Sequence, residues 1–269
     1  MSDTIKIALI GFGNVGQGVY DILSRNQEAI TSRIGDKLEI KTILVRDTQK
    51  YQSVFHGDSQ LTESIDTILQ DPEIEIVVEA IGGEMPAYDY IKSALKAKKY
   101  VVTANKEVIA KHKKEFFKCA QENGVDIYFE ASVGGGMPII RALKVGYSAN
   151  LIQSIYGILN GTTNFILTKI EEDGLEFEDA LKLAQDLGFA ESDPTMDISG
   201  LDAAYKLVIL AAVGFKVDIQ LESVTYEGIE KIQLQDVHYA KENPFNRTIP
   251  PVPWVTTRAI ASRVKRAVF

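Results

Sequence analysis

Asp202 and Lys206 lie four residues apart in a stretch of sequence that is otherwise almost entirely apolar. Residues four apart share one face of a helix, and a solvated ion pair of this kind normally lies on a polar face. Three more carboxylates precede this stretch, at Glu191, Asp193 and Asp197. Carboxylates grouped beside one lysine suit the binding of an ammonium group and the movement of a proton. The alternative interpretation is a solvated acidic loop followed by a structural ion pair.

A glycine-rich turn near the start of the chain is a second candidate site. It follows the apolar run 5–10 and opens a predicted helix, and its glycines have the spacing G-x-G-x-x-G. Such glycines permit a tight turn, close approach of the backbone to a pyrophosphate and close helix packing, while the helix N-terminus attracts the anion. We therefore predict a dinucleotide site rather than a merely tight turn. Its residues are Gly11, Phe12, Gly13, Asn14, Val15 and Gly16.

The end of the second predicted strand should lie near the adenosine ribose of such a cofactor. That strand ends at Val45-Arg46-Asp47. Arg46 favours NADP, because a guanidinium can pair with a 2′-phosphate, whereas Asp47 is compatible with NAD, because a carboxylate can bind the 2′-hydroxyl. A solvated charge pair at a strand end is the alternative.

The elements around the glycine turn alternate short β-branched runs with helical patterns, which is typical of a doubly wound parallel sheet. We predict strands at 5–10, 38–45, 74–80, 100–103 and 126–130, and helices at 15–24, 64–69, 86–97 and 106–123. The rhythm breaks at three consecutive glycines, 134–136. The sequence therefore predicts a Rossmann-type α/β domain over residues 1–135.

An α+β domain is predicted over residues 136–245. It comprises helix 138–144, strand 153–160 and helices 163–173, 177–187 and 201–213, the last with Ser199 as a possible N-cap. Residues 246–269 differ in composition, with three prolines at 250, 251 and 253, five basic residues and no acidic residue. We expect this basic, proline-rich tail to be the least ordered part of the chain.

Composition excludes several classes of protein. The chain has 269 residues and a net charge of −8, which argues against a nucleic-acid partner, and 45% hydrophobic residues argue against global disorder. One cysteine and three scattered histidines exclude an internal disulfide and a clustered His/Cys metal site. No run approaches the roughly 20 apolar residues of a membrane span, and the N-terminus does not resemble a signal peptide. We expect a cytoplasmic protein with no membrane partner.

Three longer motifs, together with the glycine turn, occur in the order typical of one family. They are Ala104-Asn105-Lys106-Glu107, segment 157–167 (GILNGTTNFIL) and segment 187–207 (LGFAESDPTMDISGLDAAYKL). In these motifs the chain resembles the homoserine dehydrogenase family from about residue 6 to residue 241. The resemblance implies reversible NAD(P)H-dependent reduction of L-aspartate 4-semialdehyde to L-homoserine, a step in threonine, methionine and isoleucine biosynthesis. It also implies a homodimer formed through the second domain.

The resemblance assigns roles to residues. Glu191 and Asp202 match ligands of the substrate's amino group and hydroxyl end, and Lys206 matches the lysine that exchanges a proton with the reacting oxygen. Lys106 matches a second essential lysine near the nicotinamide and the substrate. Gly82 and Gly188 match backbone positions beside the cofactor.

The segment 130–137 (EASVGGGM) resembles the family's loop for a monovalent cation. The resemblance implies ligation by Glu130 and by the carbonyl oxygens of Val133, Gly135 and Met137. Hard oxygen ligands suit Na⁺ or K⁺, whose role would be structural. An interdomain hinge is the alternative, and the two are compatible.

Beyond about residue 241 the resemblance ends. The family's further strands and its returning glycine- and alanine-rich segment are not visible, so we expect a truncated or altered C-terminus. Three interpretations stay open: an active homoserine dehydrogenase, a non-catalytic relic that binds nucleotide or pairs with a full-length copy, and another oxidoreductase on the same scaffold. Because the tail does not match, we expect the isolated chain to be poorly active or to have concentration-dependent activity.

Overall fold

A parallel sheet of six strands organises the first half of the chain. The computed structural model describes residues 3–52, 55 and 57–237. The chain divides into two compact units, Met1–Ile139 and Ile140–Phe269. The strands of the first unit are β1 (Thr4–Ile10), β2 (Lys37–Leu44), β3 (Gln60–Thr62), β4 (Ile74–Glu79), β5 (Tyr100–Thr103) and β6 (Ile127–Tyr128). Their spatial order is β3-β2-β1-β4-β5-β6, and every paired neighbour is parallel.

Apolar side chains place β1 at the centre of this sheet. Residues 7–10 (IALI) are all 3% exposed or less. A strand buried on both faces reads as a continuous apolar run, as this one does. The connecting helices are α1 (Asn14–Arg25), α2 (Gln27–Ile34), α3 (Thr48–Gln52), α4 (Asp66–Leu69), α5 (Ala87–Lys96) and α6 (Lys106–Asn123). The prediction of a Rossmann-type parallel sheet is confirmed.

Three elements of the first unit were not predicted: the helices α2 and α3 and the strand β3. Residues 27–34, predicted as a polar connection, form α2, which has no buried residue. A helix without a buried face lacks the apolar stripe by which sequence periodicity is recognised. The three-residue strand β3 pairs with β2 but is too short for an alternating pattern to be visible.

Helices make up the regular structure of the described part of the second unit. They are α7 (Ile139–Arg141), which begins at the unit boundary and continues into a π-helical turn at Ala142–Gly146, then α8 (Gly161–Asp173), α9 (Phe177–Asp186), α10 (Thr195–Ile198) and α11 (Leu201–Phe215). An apolar core joins α8 to α9 and to Ile229. Its buried members are Ile166, Leu167, Ile170, Ala180, Ala184, Ala190 and Ile229.

Two local predictions for the second unit are wrong. Residues 153–160 form no strand, and in the described residues of this unit no strand lies beside them to supply hydrogen bonds. Ser199 does not cap α11: the N-cap is Gly200 in the left-handed conformation, and the Ser199 hydroxyl donates to the Met196 carbonyl. The predicted tail 246–269 lies outside the described residues.

Candidate functional site

A cavity of about 840 Å³ lies in the first unit, at the carboxyl ends of β1, β2 and β4. This edge is where open parallel α/β sheets bind their ligands. The predicted cofactor residues Gly11, Phe12, Gly13, Arg46 and Gly82 all line it. The other lining residues are Ile10, Leu44, Val45, Asp47, Lys50, Tyr51, Glu63, Ala80, Ile81, Met85, Pro86 and Tyr90.

The glycine turn is packed too tightly for side chains at two positions. Gly11 has a φ of +95°, and a Cβ there would lie 2.5 Å from the Ile81 side chain. A Cβ at Gly16 would overlap the Gly11 carbonyl oxygen. By contrast, a Cβ at Gly13 would meet no atom within 4 Å, so the backbone at Gly13 faces open space. The N-cap of α1 is Gly13, which has no side chain to occupy the first N–H groups of the helix, and such groups can bind an anion.

Aromatic packing anchors the glycine turn through the side chain of Phe12. Phe12 is 8% exposed and makes edge-to-face contacts with Tyr20, Tyr51 and Phe55, at centroid distances of 5.9, 5.7 and 5.4 Å. Edge-to-face contacts of this kind are favourable beyond the area that they bury. Phe12 therefore anchors the turn in the core of the unit, whereas Val15 is 55% exposed.

Two cations and two carboxylates line the cavity at the end of β2. The Asp47 carboxylate accepts a hydrogen bond from the Lys50 backbone N–H at 3.2 Å. The Glu63 carboxylate accepts from the Thr48 N–H at 2.8 Å and from its hydroxyl at 2.9 Å. Arg46 and Lys50 are both exposed. Sequence reasoning missed Lys50, which lies in the short helix α3 directly after the strand-end pair Arg46 and Asp47.

Hydrogen bonds join the loop that contains Gly82 to the start of α6, where Lys106 is the first residue. The buried Glu79 carboxylate accepts from the N–H of Ile81 and Gly82 at 2.9 and 3.4 Å and from the Thr103 hydroxyl at 2.5 Å. The same hydroxyl accepts from the Asn105 N–H at 2.9 Å.

Asn105 completes this connection. Its side-chain amide donates to the Gly83 carbonyl at 2.6 Å, and its side-chain oxygen caps α6 at the Val108 N–H. Lys106 is half-buried at this fixed position. Nearby, Lys111 and His112 both hydrogen-bond the carboxylate of Glu84. These contacts, of which the one with Lys111 has the larger effect, hold the pKa of that carboxyl below its usual range.

The predicted cation ligands lie in one short segment of the first unit. Glu130 begins a single 3₁₀ turn that ends at Ser132, and Val133 follows it. Gly134 and Gly136 have positive φ values of +64° and +84°. Such a turn leaves carbonyl groups outside regular secondary structure, where they can serve as oxygen ligands. Among the described residues, no group of three or more His, Cys, Asp or Glu side chains could hold a metal ion.

In the second unit, Asp202 and Lys206 share one face of α11, as their spacing predicts, and they form an ion pair. The Lys206 ammonium lies 2.8 Å from Asp202 Oδ2 and donates to the Leu159 carbonyl at 2.7 Å. The side chains are 2% exposed for Asp202 and 19% exposed for Lys206. Both lie on α11, in which Ala203, Ala204, Leu207, Val208, Ile209, Leu210 and Ala211 are also buried. This pair is therefore a largely desolvated ionic group, not a solvated surface pair.

Asn160, which sequence reasoning did not single out, joins this pair to Asp197 on α10. Its side-chain amide donates to Asp202 Oδ2 at 2.8 Å and to Asp197 Oδ1 at 2.7 Å. The hydroxyl of Thr162 donates to the Phe189 carbonyl at 2.7 Å. The motif containing Asn160 was visible in the sequence, but its contacts span up to 42 residues and carry no local signal.

The other predicted residues of this unit lie in the same acidic loop. Gly188 adopts a left-handed φ of +77° directly after α9. Glu191 is exposed, and within the described part of the chain its carboxylate makes no hydrogen bond or ion pair. The Asp193 carboxylate accepts hydrogen bonds from the hydroxyl and the backbone N–H of Thr195. These bonds, chiefly the one from the hydroxyl, lower the pKa of that carboxyl.

Within the described residues, no helix is long and apolar enough to cross a membrane.

Comparison with known proteins gives one consistent result. The NAD-binding domain of homoserine dehydrogenase matches residues 11–130, and a second homoserine dehydrogenase domain matches residues 138–252. Homoserine dehydrogenase from Bacillus subtilis (strain 168) is 45% identical over 237 residues, which are 88% of this chain and 55% of that protein.

Solved structures agree with the sequence matches. A crystal structure of a homoserine dehydrogenase from Thiobacillus denitrificans is 46% identical, with a TM-score of 0.85 over 90% of this chain and 56% of that one. A hyperthermophilic archaeal homoserine dehydrogenase solved in complex with NADPH is 29% identical, with a TM-score of 0.75 over 86% and 75% of the two chains. The chain spans about half the length of the first two relatives. Since both parts of the chain match domains of the same enzyme, the chain belongs to the homoserine dehydrogenase family.

Proposed function

We propose that this chain catalyses the reversible NAD(P)-dependent conversion of L-homoserine to L-aspartate 4-semialdehyde. The observation that carries the proposal is the desolvated Lys206–Asp202 pair in a chain of this family. The active interpretation is supported by the buried surroundings of this pair, in which the Lys206 ammonium is held by Asp202 and by the Leu159 carbonyl. The reaction would serve amino-acid biosynthesis.

The first unit binds the cofactor in this proposal. The backbone at Gly11 and Gly13 and the N-terminus of α1 hold the pyrophosphate, and Gly82 contacts the cofactor from the β4 end. When bound, the nicotinamide supplies the hydride acceptor or donor. The Glu79–Thr103–Asn105 connection fixes the start of α6, and thereby Lys106, relative to the loop that contains Gly82.

The second unit binds the substrate and moves the proton. Glu191, whose carboxylate is exposed, attracts the substrate's ammonium group, and Asp202 orients its hydroxyl end. During reduction the Lys206 ammonium donates a proton to the carbonyl oxygen; during oxidation the amine accepts it from the hydroxyl. Two acceptors hold the Lys206 ammonium in place, the Asp202 carboxylate and the Leu159 carbonyl.

The direct test is turnover by the purified 269-residue chain. We expect L-homoserine to reduce NAD⁺ or NADP⁺, measured as absorbance of the reduced nicotinamide, with D-homoserine as the control that the site should reject. Cofactor binding without any turnover, in either direction and with either cofactor, would favour the non-catalytic interpretation.

Arg46 should determine the preference between the two cofactors. Replacing Arg46 with alanine should weaken NADPH binding more than NADH binding, since only NADPH carries the 2′-phosphate that a guanidinium can pair with. A lost charge-assisted hydrogen bond of about 1.5–3 kcal/mol corresponds to roughly 10- to 150-fold in Kd. Titration of both cofactors by their fluorescence measures this. Equal weakening of both would mean that Arg46 does not recognise the 2′ position.

Lys50→Ala tests the second cation at the same rim. Because Lys50 lines the cavity together with Arg46, we expect the Lys50→Ala variant to weaken NADPH binding as well, but by a smaller factor than Arg46→Ala. Asp47→Asn is the matched variant of opposite sign: it removes a negative charge near the phosphate and should not weaken NADPH. If NADH is instead weakened by Asp47→Asn, the carboxylate serves the 2′-hydroxyl and NAD is the cofactor.

We also propose that segment 130–137 binds Na⁺ or K⁺. Glu130 and the carbonyls of Val133, Gly135 and Met137 are hard donors that fit a monovalent cation, and the cation would stabilise the segment. The melting temperature measured in NaCl, KCl and tetramethylammonium chloride tests cation binding.

We further propose that the chain forms a homodimer. Exposed apolar side chains in the second unit support self-association: Val145, Leu151, Tyr156 and Ile158 are 65, 90, 70 and 49% exposed. Sedimentation equilibrium tests the homodimer.

A further inference from the structure

The side chain of Asn160 is 7% exposed, and every polar atom of its amide has a partner. Its oxygen accepts from the Thr163 N–H at 2.7 Å, as the N-cap of α8. Its nitrogen carries two hydrogens and donates to two carboxylates, those of Asp197 and Asp202. Capping a helix N-terminus requires only a side-chain hydrogen-bond acceptor, so the amide nitrogen of Asn160 is not needed for the cap.

The orientation of this amide is fixed by its neighbours. The Thr163 N–H is a donor and requires the amide oxygen, whereas the two carboxylates accept and require the amide nitrogen. Serine and threonine would cap α8 as well as asparagine, but their single hydroxyl cannot also bridge two carboxylates. The asparagine therefore supplies something beyond the cap.

Both partners of the Lys206 ammonium depend on this one residue. Asp202 Oδ2 receives the Asn160 amide and the Lys206 ammonium together. The other partner, the Leu159 carbonyl, belongs to the peptide bond that joins Leu159 to Asn160 itself. Holding Asn160 in place thus holds both oxygens to which Lys206 donates.

We propose that Asn160 is a positioning residue for Lys206, acting through Asp202 and through the Leu159 carbonyl. This inference rests on the proposed role of Lys206 in proton exchange. The second bond of the amide, to Asp197, ties the same point to α10, the short helix that begins four residues after Glu191. Asn160 therefore fixes the proton-exchanging lysine relative to α10, which follows the segment that carries the predicted substrate ligand, without itself contacting the substrate.

Two variants separate positioning from capping. Asn160→Ser keeps an N-cap acceptor but removes both amide donors, whereas Asn160→Ala removes both functions. Positioning predicts that kcat falls in the serine variant nearly as far as in the alanine variant, by about 10²-fold, the cost of misplacing a reacting group by about 1 Å. The KM for the cofactor should not change in either variant. A role in capping alone predicts that the serine variant keeps the wild-type kcat and melting temperature.

A second readout does not depend on turnover. Acetylation of lysines by acetic anhydride, mapped by mass spectrometry, reports how freely each ammonium leaves its partners. In Asn160→Ser we expect Lys206 to be acetylated several-fold faster than in the wild-type chain, because the Asp202 carboxylate then loses the amide hydrogen bond that orients it toward Lys206. Lys169, which pairs with Asp173 at 2.8 Å on α8, is the internal control and should not change.

The two readouts distinguish failure of this inference from failure of the proposed function. If the wild-type chain turns over homoserine and Asn160→Ser matches it in kcat, Asn160 does not position Lys206. If the wild-type chain is inactive, the proposed function fails for this chain, and acetylation alone decides the inference. An unchanged or slower Lys206 acetylation in Asn160→Ser, measured against Lys169, overturns it in either case.

Discussion

Replacing Lys206 with alanine should abolish turnover while leaving cofactor affinity unchanged. Loss of a positioned acid or base typically lowers the rate by about 10²- to 10⁴-fold. The Lys206 ammonium is paired with Asp202 on a buried helix of the second unit, whereas the cavity assigned to the cofactor is lined by residues of the first. Steady-state kcat and the Kd for NADPH, measured on the same preparation, test whether turnover is lost while cofactor affinity is kept.

Folding must be controlled, because alanine leaves the buried Asp202 without its cation. Removing one partner of a buried pair costs about 3–5 kcal/mol. Lys206→Arg keeps a positive charge beside Asp202 but cannot exchange the proton, since a guanidinium stays protonated. We expect it to melt nearer the wild type and to be as inactive as the alanine variant. Wild-type kcat in the arginine variant would remove Lys206 from proton transfer.

Gly16→Ala should both destabilise the first unit and weaken cofactor binding. The added methyl group would overlap the Gly11 carbonyl oxygen, a backbone atom that cannot rotate away. Either α1 or the turn must move, and overpacking of this kind costs about 1–3 kcal/mol. The displaced turn is the one whose N–H groups are assigned to the pyrophosphate. Chemical denaturation and NADPH titration measure the two effects.

Gly18→Ala is the matched control on the same helix. A Cβ at Gly18 meets no atom within 4 Å, and alanine is favoured over glycine inside a helix by about 1 kcal/mol. We expect this variant to be slightly stabilised and to bind NADPH normally. Equal effects of the two substitutions would contradict the steric explanation.

The first unit follows closely from the sequence because each signal is local. Helix α6 was predicted at the bounds observed, since Gly124 is a residue type that commonly ends a helix; the structure adds Asn105 as its N-cap. The shared helix face of Asp202 and Lys206 is equally local, and the ion pair confirms it. What the sequence could not give is β3, whose position depends on pairing with β2.

The second unit was harder because its key contacts are distant in sequence. Residues 153–160 have the β-branched and aromatic composition of a strand, yet a strand forms only where a neighbour pairs with it. Asn160 was within a recognised motif, but its bond to Asp202 crosses 42 residues and depends on how α8 and α11 pack. Serine is a common N-cap residue, so Ser199 was a reasonable prediction. The N-cap position of α11 has a left-handed backbone conformation, which glycine adopts more readily than serine, and Gly200 occupies it.

The central position of β1 has a consequence for how the polypeptide is made. It is synthesised before both of its neighbours, β2 and β4, and its Lys6 lies opposite Ile74 of β4. One edge of this apolar strand is therefore uncovered until Ile74–Glu79 has been synthesised. Long-range parallel pairing is slow and leaves such edges open to association. A nascent chain that pauses before residue 74 would expose its most apolar strand to chaperones and to other nascent chains.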